Sequence, residues 1–221
     1  MNVNLAPVLD VFREPGNFID RFERSYSVDP KIVARLGKAF IKEQQRTGVA
    51  ATAKHFPGLG AAAREQDTDE VPVTLDLSRE TLQSVDEFPY AKAIQADVGL
   101  VMVSWAVYPA FDDLPAGLSR TIVQGELRER LGFGGVTITD ALEASALTPF
   151  GSIGERGVRA AEAGMDLLLY SAKDVSQGTA GVDALVTALE TGRLDRATFE
   201  AAAERVIALR AKFAPAFTAK S

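Results

Sequence analysis

Residues 49–72 read "VAATAKHFPGLGAAAREQDTDEVP". The first eight residues form a short run that is apolar almost to its end, closed by the Pro57-Gly58 turn. Such a run reads as a buried strand with both faces covered. It ends on Lys54 and on His55, the only histidine of the chain, and the loop that follows gathers Glu65, Asp67, Asp69 and Glu70. A buried strand that empties into a charged loop is where α/β proteins build active sites. The pattern raises one chemical question, namely which residue of this loop could move a proton.

The same pattern recurs on either side. "VNLAPVL" (3–9) ends at Asp10, "VGLVMVSW" (98–105) ends in Ser104 and Trp105, "GGVTITD" (134–140) ends in Asp140, and "DLLLY" (166–170) runs into Ser171. Helical patterns fill the intervals. Asp29 caps a helix that opens on Pro30 and stops at Gly48, with Ile32, Val33, Leu36, Phe40 and Ile41 on one apolar stripe. Residues 78–97 read as a helix that Pro89 breaks or kinks. Residues 119–133 and 153–164 read as helices, and 182–191 and 195–212 close the chain. Gly151 to Gly157 and Ser171 to Gly181 read as loops.

Strand and helix therefore alternate five times, the pattern of an α/β fold, either a doubly wound sheet or a barrel. No Gly-x-Gly-x-x-Gly and no Gly-Lys-Ser/Thr loop follows any strand, which weakens nucleotide binding. Five strands that end in polar residues fit the C-terminal mouth of a (β/α)8 barrel. No repeat, low-complexity tract or linker divides the 221 residues, which read as one domain.

Composition narrows the function. Thirty Asp and Glu against 24 Lys and Arg leave a net charge of -6, the wrong sign for binding nucleic acid. The chain has no cysteine, so disulfides, thiolate nucleophiles and cysteine metal sites are excluded. No apolar run is long enough to span a bilayer and no signal-peptide pattern opens the chain, so the default compartment is the cytoplasm.

"NVNLAPVLDV", "RSYS", "AKHFPGLG", "VMVSWAVYPAFD" and "LGFGGVTITDALEASAL" stand in the order and spacing of the catalytic barrel of glycoside hydrolase family 3, and the chain resembles its bacterial β-N-acetylhexosaminidase branch from Asn2 to about Phe213. The resemblance implies a retaining hydrolysis of β-linked N-acetylglucosaminides, such as fragments of peptidoglycan or chitin, with no metal or organic cofactor. It places Asp140 as the nucleophile, Lys54, His55 and Arg24 on sugar hydroxyls, Asp10 near the sugar, and Met102 and Trp105 on the pocket wall. Taken singly, these residues have plainer readings: Asp140 as a helix cap, Arg24 as a surface ion pair, His55 as a satisfied buried imidazole, Trp105 as packing.

Two departures from the family pattern stand out. The branch carries an Asp-x-His pair in the loop after Lys-His-Phe-Pro-Gly, and that histidine is its acid/base. Here Thr68 falls at that position. A carboxylate is the expected substitute, Asp67 or Asp69, unless the acidic run is only a solvated loop. Secondly, "NVNLAPVLDV" corresponds to the third strand of the barrel. The chain then reads as an N-terminally truncated, incomplete barrel of five or six β/α units, with any export signal outside it. Its open edges would invite oligomerisation. Two rivals remain beside this reading: a non-catalytic sugar-binding protein on the same scaffold, and a barrel enzyme that uses Lys54 in a Schiff base.

Overall fold

The structure is a computed structural model that describes residues 2–214. Five parallel strands form one sheet: β1 (Val3–Asn4), β2 (Ala50–Phe56), β3 (Leu100–Val103), β6 (Val136–Ala141) and β7 (Leu167–Leu169). Their spatial order follows the chain, β1-β2-β3-β6-β7. Sequential parallel neighbours joined by helices give a curled sheet, an incomplete (β/α) barrel. A separate hairpin, β4 (Val107–Tyr108) and β5 (Asp112–Pro115), lies between β3 and β6 in the chain.

Alternation along the strands separates two cores. Ala51, Ala53, Val101 and Val103 face the outer helices, in one core with Val33 and Ile41 of α1 (Pro30–Arg46), Tyr90, Ile122 and Leu127. Ala50, Leu100, Met102, Val136 and Ile138 face the other side. There Val206 and Leu209 of α6 (Arg196–Lys212) pack on them. Both ends of that packing are pinned by charge. Asp166, fully buried before β7, accepts from Arg205 at 2.8 Å and from Arg128 at 2.6 Å, and Lys212 meets Asp97.

The helix starts follow the expected chemistry. Asp29 accepts from the Lys31 amide ahead of α1, and Pro30 occupies its first turn. Ser152, Asp174 and Asp195 cap α4 (Ile153–Ala163), α5 (Val175–Glu190) and α6 in the same way.

Several expectations are corrected. The first strand does not run unbroken over residues 3–9. Its ladder stops at Asn4, and a single bridge, Val8 to Lys54, resumes it. Pro7 has no N–H to give a ladder. The expected loops are shorter: residues 151–152 and 171–174 are loop, because α4 starts at Ile153, as the helical reading of 153–164 expects, and α5 at Val175. Pro89 kinks no helix interior. A short helix α2 (Arg79–Thr81) runs into a π-helical turn over Leu82–Asp86, and Pro89 sits in the first turn of α3 (Phe88–Ile94), where a missing N–H costs nothing. Thr121–Arg130 is likewise π-helical.

Candidate active site

Asp10, on the segment after β1, converges with Lys54 and His55 at the C-terminal end of β2 and with Asp140 at that of β6. Asp10 is fully buried. Its Oδ1 accepts from the amides of His55 (3.2 Å) and Leu59 (2.7 Å), and its Oδ2 lies 2.8 Å from His55 Nδ1. The imidazole, 4% exposed, lies with Nε2 3.2 Å from an Arg24 guanidinium nitrogen and 3.9 Å from Asp140 Oδ2. Arg24 comes from the loop "RSYS". That loop is tied to the same place, because the Ser25 hydroxyl donates to the Asp10 carbonyl. The peptide between Lys54 and His55 is cis.

Asp140 ends β6 with its side chain 23% exposed. Its Oδ1 accepts from the Ala141 amide at 2.9 Å, so one oxygen is anchored and Oδ2 is left on the side of His55. Lys54 is half-buried. Desolvation lowers its pKa, the neighbouring Arg24 charge lowers it further, and Asp140 and then Asp10 oppose that shift.

The turn after His55 is held by several bonds. Gly60 O accepts from Arg13 N at 3.1 Å and from Asn17 Nδ2 at 2.8 Å, and Tyr108 donates to Gly58 O at 3.0 Å. Asp86 packs behind Gly58 and pairs with Arg13. Burial pushes the Asp86 carboxyl up to about 7 against the pull of Arg13. Sequence reading missed Arg13, Asp86 and Tyr108. Asp86 lies in "SVDEF", where a carboxylate looks like any solvated helix residue.

The acidic loop is docked rather than free. Thr68 is buried, and the carbonyls of Asp69 and Thr68 accept from the amides of Ser145 (2.9 Å) and Ala146 (3.4 Å), just beyond Asp140 in the chain. Asp67 turns back on its own loop, where its Oδ1 accepts from the Asp69 amide at 3.0 Å. Asp69 is exposed overall. Even so, desolvation raises its pKa, with the Asp140 charge second and Asp67 third; His55 and Arg24 pull it down by less. Glu65 lies beside Arg64 on the surface.

Three of the expected site residues are enclosed. The Asp10 carboxylate is fully buried, and its oxygens are spent on His55 and Leu59. Trp105 is 1% exposed and belongs to the outer-face core, with Nε1 donating to Ala141 O at 2.8 Å. It supports the end of β6 from behind. Met102, also 1% exposed, packs among Leu100, Val136 and Ile138 on the other face of the sheet.

A cleft of about 720 Å³ lies elsewhere, between β7, α4, α5 and α6. Its walls are largely apolar, among them Leu167, Val182, Leu185 and Phe199. Its carboxylates Asp166, Glu162 and Asp195 are already engaged by Arg205, Arg193 and Thr198.

Comparison with known proteins gives the family. The family "Glycosyl hydrolase family 3 N terminal domain" matches residues 1–209. An "uncharacterized secreted glycosyl hydrolase" of Arthroderma benhamiae is 51% identical over 96% of the chain and 60% of its own length. "Beta-hexosaminidase A" of Pseudoalteromonas piscicida is 31% identical over 96% of the chain and 38% of its own length. Among solved structures, a family 3 β-N-acetylglucosaminidase of Paenibacillus sp. FPU-7 superposes with a TM-score of 0.91 at 39% identity, over 97% of this chain and 40% of that one. The β-N-acetylhexosaminidase of Beutenbergia cavernae gives 0.86 at 36% identity, over 96% and 63%. The chain thus spans less than two thirds of the length of each of these relatives. It belongs to glycosyl hydrolase family 3, within the N-terminal domain of that family.

Proposed function

We propose that residues 1–221 act as one barrel-type domain that hydrolyses β-linked N-acetylhexosaminides with retention at the anomeric carbon. The observation that carries this reading is the pairing of Asp140, anchored through Oδ1 with Oδ2 left toward His55, with a second carboxyl whose pKa is raised partly by Asp140 itself. Two carboxyls in unequal environments are what a retaining glycosidase uses, the nucleophile ionised and the acid protonated.

In the first step Asp140 Oδ2 attacks the anomeric carbon. Asp69 gives its proton to the glycosidic oxygen, the carbon–oxygen bond breaks, and the alcohol leaves behind a glycosyl ester on Asp140. In the second step the Asp69 carboxylate takes a proton from water. The water oxygen attacks the same carbon and the ester bond breaks, so that sugar and both carboxyls return to their starting forms. Asp69 suits this role better than Asp67, whose side chain is spent on the loop backbone. Lys54 and Arg24 supply cationic donors to sugar hydroxyls. Among the described residues the outer edges of β1 and β7 have no strand partner, and they offer a surface for association with a second copy.

The test is turnover of 4-nitrophenyl N-acetyl-β-D-glucosaminide by the 221-residue chain, with the product anomer read by NMR. The expected result is β-anomer first, and loss of turnover in Asp140→Asn with an unchanged melt. First formation of the α-anomer, or full activity in Asp140→Asn, would sink the proposal.

A further inference from the structure

Asp10 is buried and cannot touch a sugar, yet it holds the imidazole nearest Asp140. Its role follows from counting donors. A guanidinium has five N–H donors and no acceptor. Arg24 lies 3.2 Å from His55 Nε2, so that nitrogen must be the acceptor of the contact. The proton of a neutral imidazole then sits on Nδ1, where Asp10 Oδ2 waits at 2.8 Å. An imidazolium would set N–H against N–H, and cation against cation, at the Arg24 contact.

From this we infer that Asp10, His55 and Arg24 form a hydrogen-bond relay: Asp10 fixes the Nδ1–H tautomer, and the bare Nε2 aims the Arg24 guanidinium into the sugar site. Asp10 and His55 are positioning residues in this scheme. The Ser25 bond to the Asp10 carbonyl fixes the Arg24 loop to the same point. Arg24 is then close enough to Lys54 and Asp69 to act on the charge of both. One consequence bears on the proton donor. His55 Nε2 carries no proton, so the only histidine of the chain cannot serve as the acid. The aiming half of the inference rests on the sugar-site reading above. The tautomer does not.

A single histidine makes the test direct, since every imidazole signal in a 15N–1H multiple-bond spectrum comes from His55. At neutral pH the parent chain is expected to show Nδ1 protonated and Nε2 bare. The Nε2–H pattern, or that of an imidazolium, overturns the relay without any variant.

Asp10→Asn sharpens the test. Two backbone amides must still find an acceptor at Oδ1, so the Asn oxygen is held there and its NH2 faces Nδ1. Nδ1 becomes the acceptor, the proton moves to Nε2, and Arg24 is repelled. The tautomer pattern should invert, and affinity for N-acetylglucosamine, read by calorimetry, should fall roughly ten- to hundred-fold, the worth of one charge-assisted hydrogen bond. Arg24→Gln should cost about as much, and Asp10→Asn should add nothing to it. Unchanged affinity in Asp10→Asn, or losses that multiply in the double variant, overturns the relay. If Asp10→Asn does not fold, the parent spectrum and the shift of the Nε2 signal in Arg24→Gln decide; an unmoved Nε2 signal refutes the contact. A parent chain with the Nδ1–H tautomer that binds no sugar refutes the proposed function and the aiming, and leaves the tautomer assignment standing.

Discussion

Gly60 lies where the turn after His55 presses on the segment after β1, and a methyl group there tests that contact. A Cβ on Gly60 would lie 2.0 Å from Val11 O, 2.4 Å from Val11 C and 2.8 Å from Val11 N. All three are backbone atoms, so no side chain can swing away. Ordinary contact would require the two segments to part by more than 1 Å or so, well beyond what a close-packed interior absorbs. Parting them strains or breaks the bonds to Gly60 O from Arg13 N and Asn17 Nδ2. Each is worth about 0.5–1.5 kcal/mol, and forced overpacking adds about 1–3 kcal/mol. Gly60→Ala should therefore cost roughly 2–6 kcal/mol, a large share of an ordinary folding free energy. Urea unfolding followed by the fluorescence of Trp105, the only tryptophan, gives the number. Gly178→Ala is the control, since nothing lies within 4 Å of its Cβ inside α5. There the gain in helix propensity should stabilise by about 0.5–1 kcal/mol. A Gly60→Ala variant within about 0.5 kcal/mol of the parent would refute the reasoning, because the turn would then not be pressed against Val11.

Asp69→Asn should lower turnover of glycosides with poor leaving groups by about 10²–10⁴-fold. Nitrophenyl substrates, which need little protonation, should lose much less; equal losses on both would remove Asp69 as the acid. Because its pKa is raised, the protonated form persists above the ordinary carboxyl range. Parent activity should then fall on the basic side of the profile, and that limb should be missing in Asp69→Asn. Asp86 gives a linkage prediction. Its folded pKa of about 7 lies above the unfolded value near 3.8, so the folded state binds the extra proton between them. Stability is greatest below the unfolded pKa and declines as pH rises through 7. At about 1.36 kcal/mol per unit, the parent should lose roughly 2–3 kcal/mol more than Asp86→Asn between pH 5 and 8. Parallel pH curves for the two would contradict the buried ionisation. Gly181→Ala should displace the Tyr170 ring, whose hydroxyl would lie 2.2 Å from the new Cβ; an unchanged melt would show that α5 is free to move.

The parallel sheet was legible because its strands are apolar on both faces and end on polar residues, a signal that needs no tertiary knowledge. Asp140, Lys54 and His55 were legible as strand-end polar residues, whereas Arg24, in a loop, was legible only through the family resemblance of "RSYS". The start of α5 was hidden for a packing reason. Gly178 and Gly181 look like loop residues, but Gly181 is small because the Tyr170 ring lies against it. What strand-end position cannot report is which side of the end a residue takes. Asp10 and Trp105 both follow strands on the side where Asp140 lies, yet the structure turns them inward onto His55 and Ala141. The choice between Asp67 and Asp69 was closed to sequence for a related reason. The two lie in one acidic run, and what sets Asp69 apart is desolvation, then a charge on β6, while Asp67 is held by a backbone amide. The same logic explains how a loop without histidine can keep a proton for catalysis. In the proposed mechanism desolvation first and the Asp140 charge second keep the proton on Asp69, and the amides of Ser145 and Ala146 bind the loop backbone beside Asp140. The proposed acid role of Asp69 depends on the docking of its loop, so lengthening the loop should abolish turnover of glycosides with poor leaving groups even with every carboxylate retained.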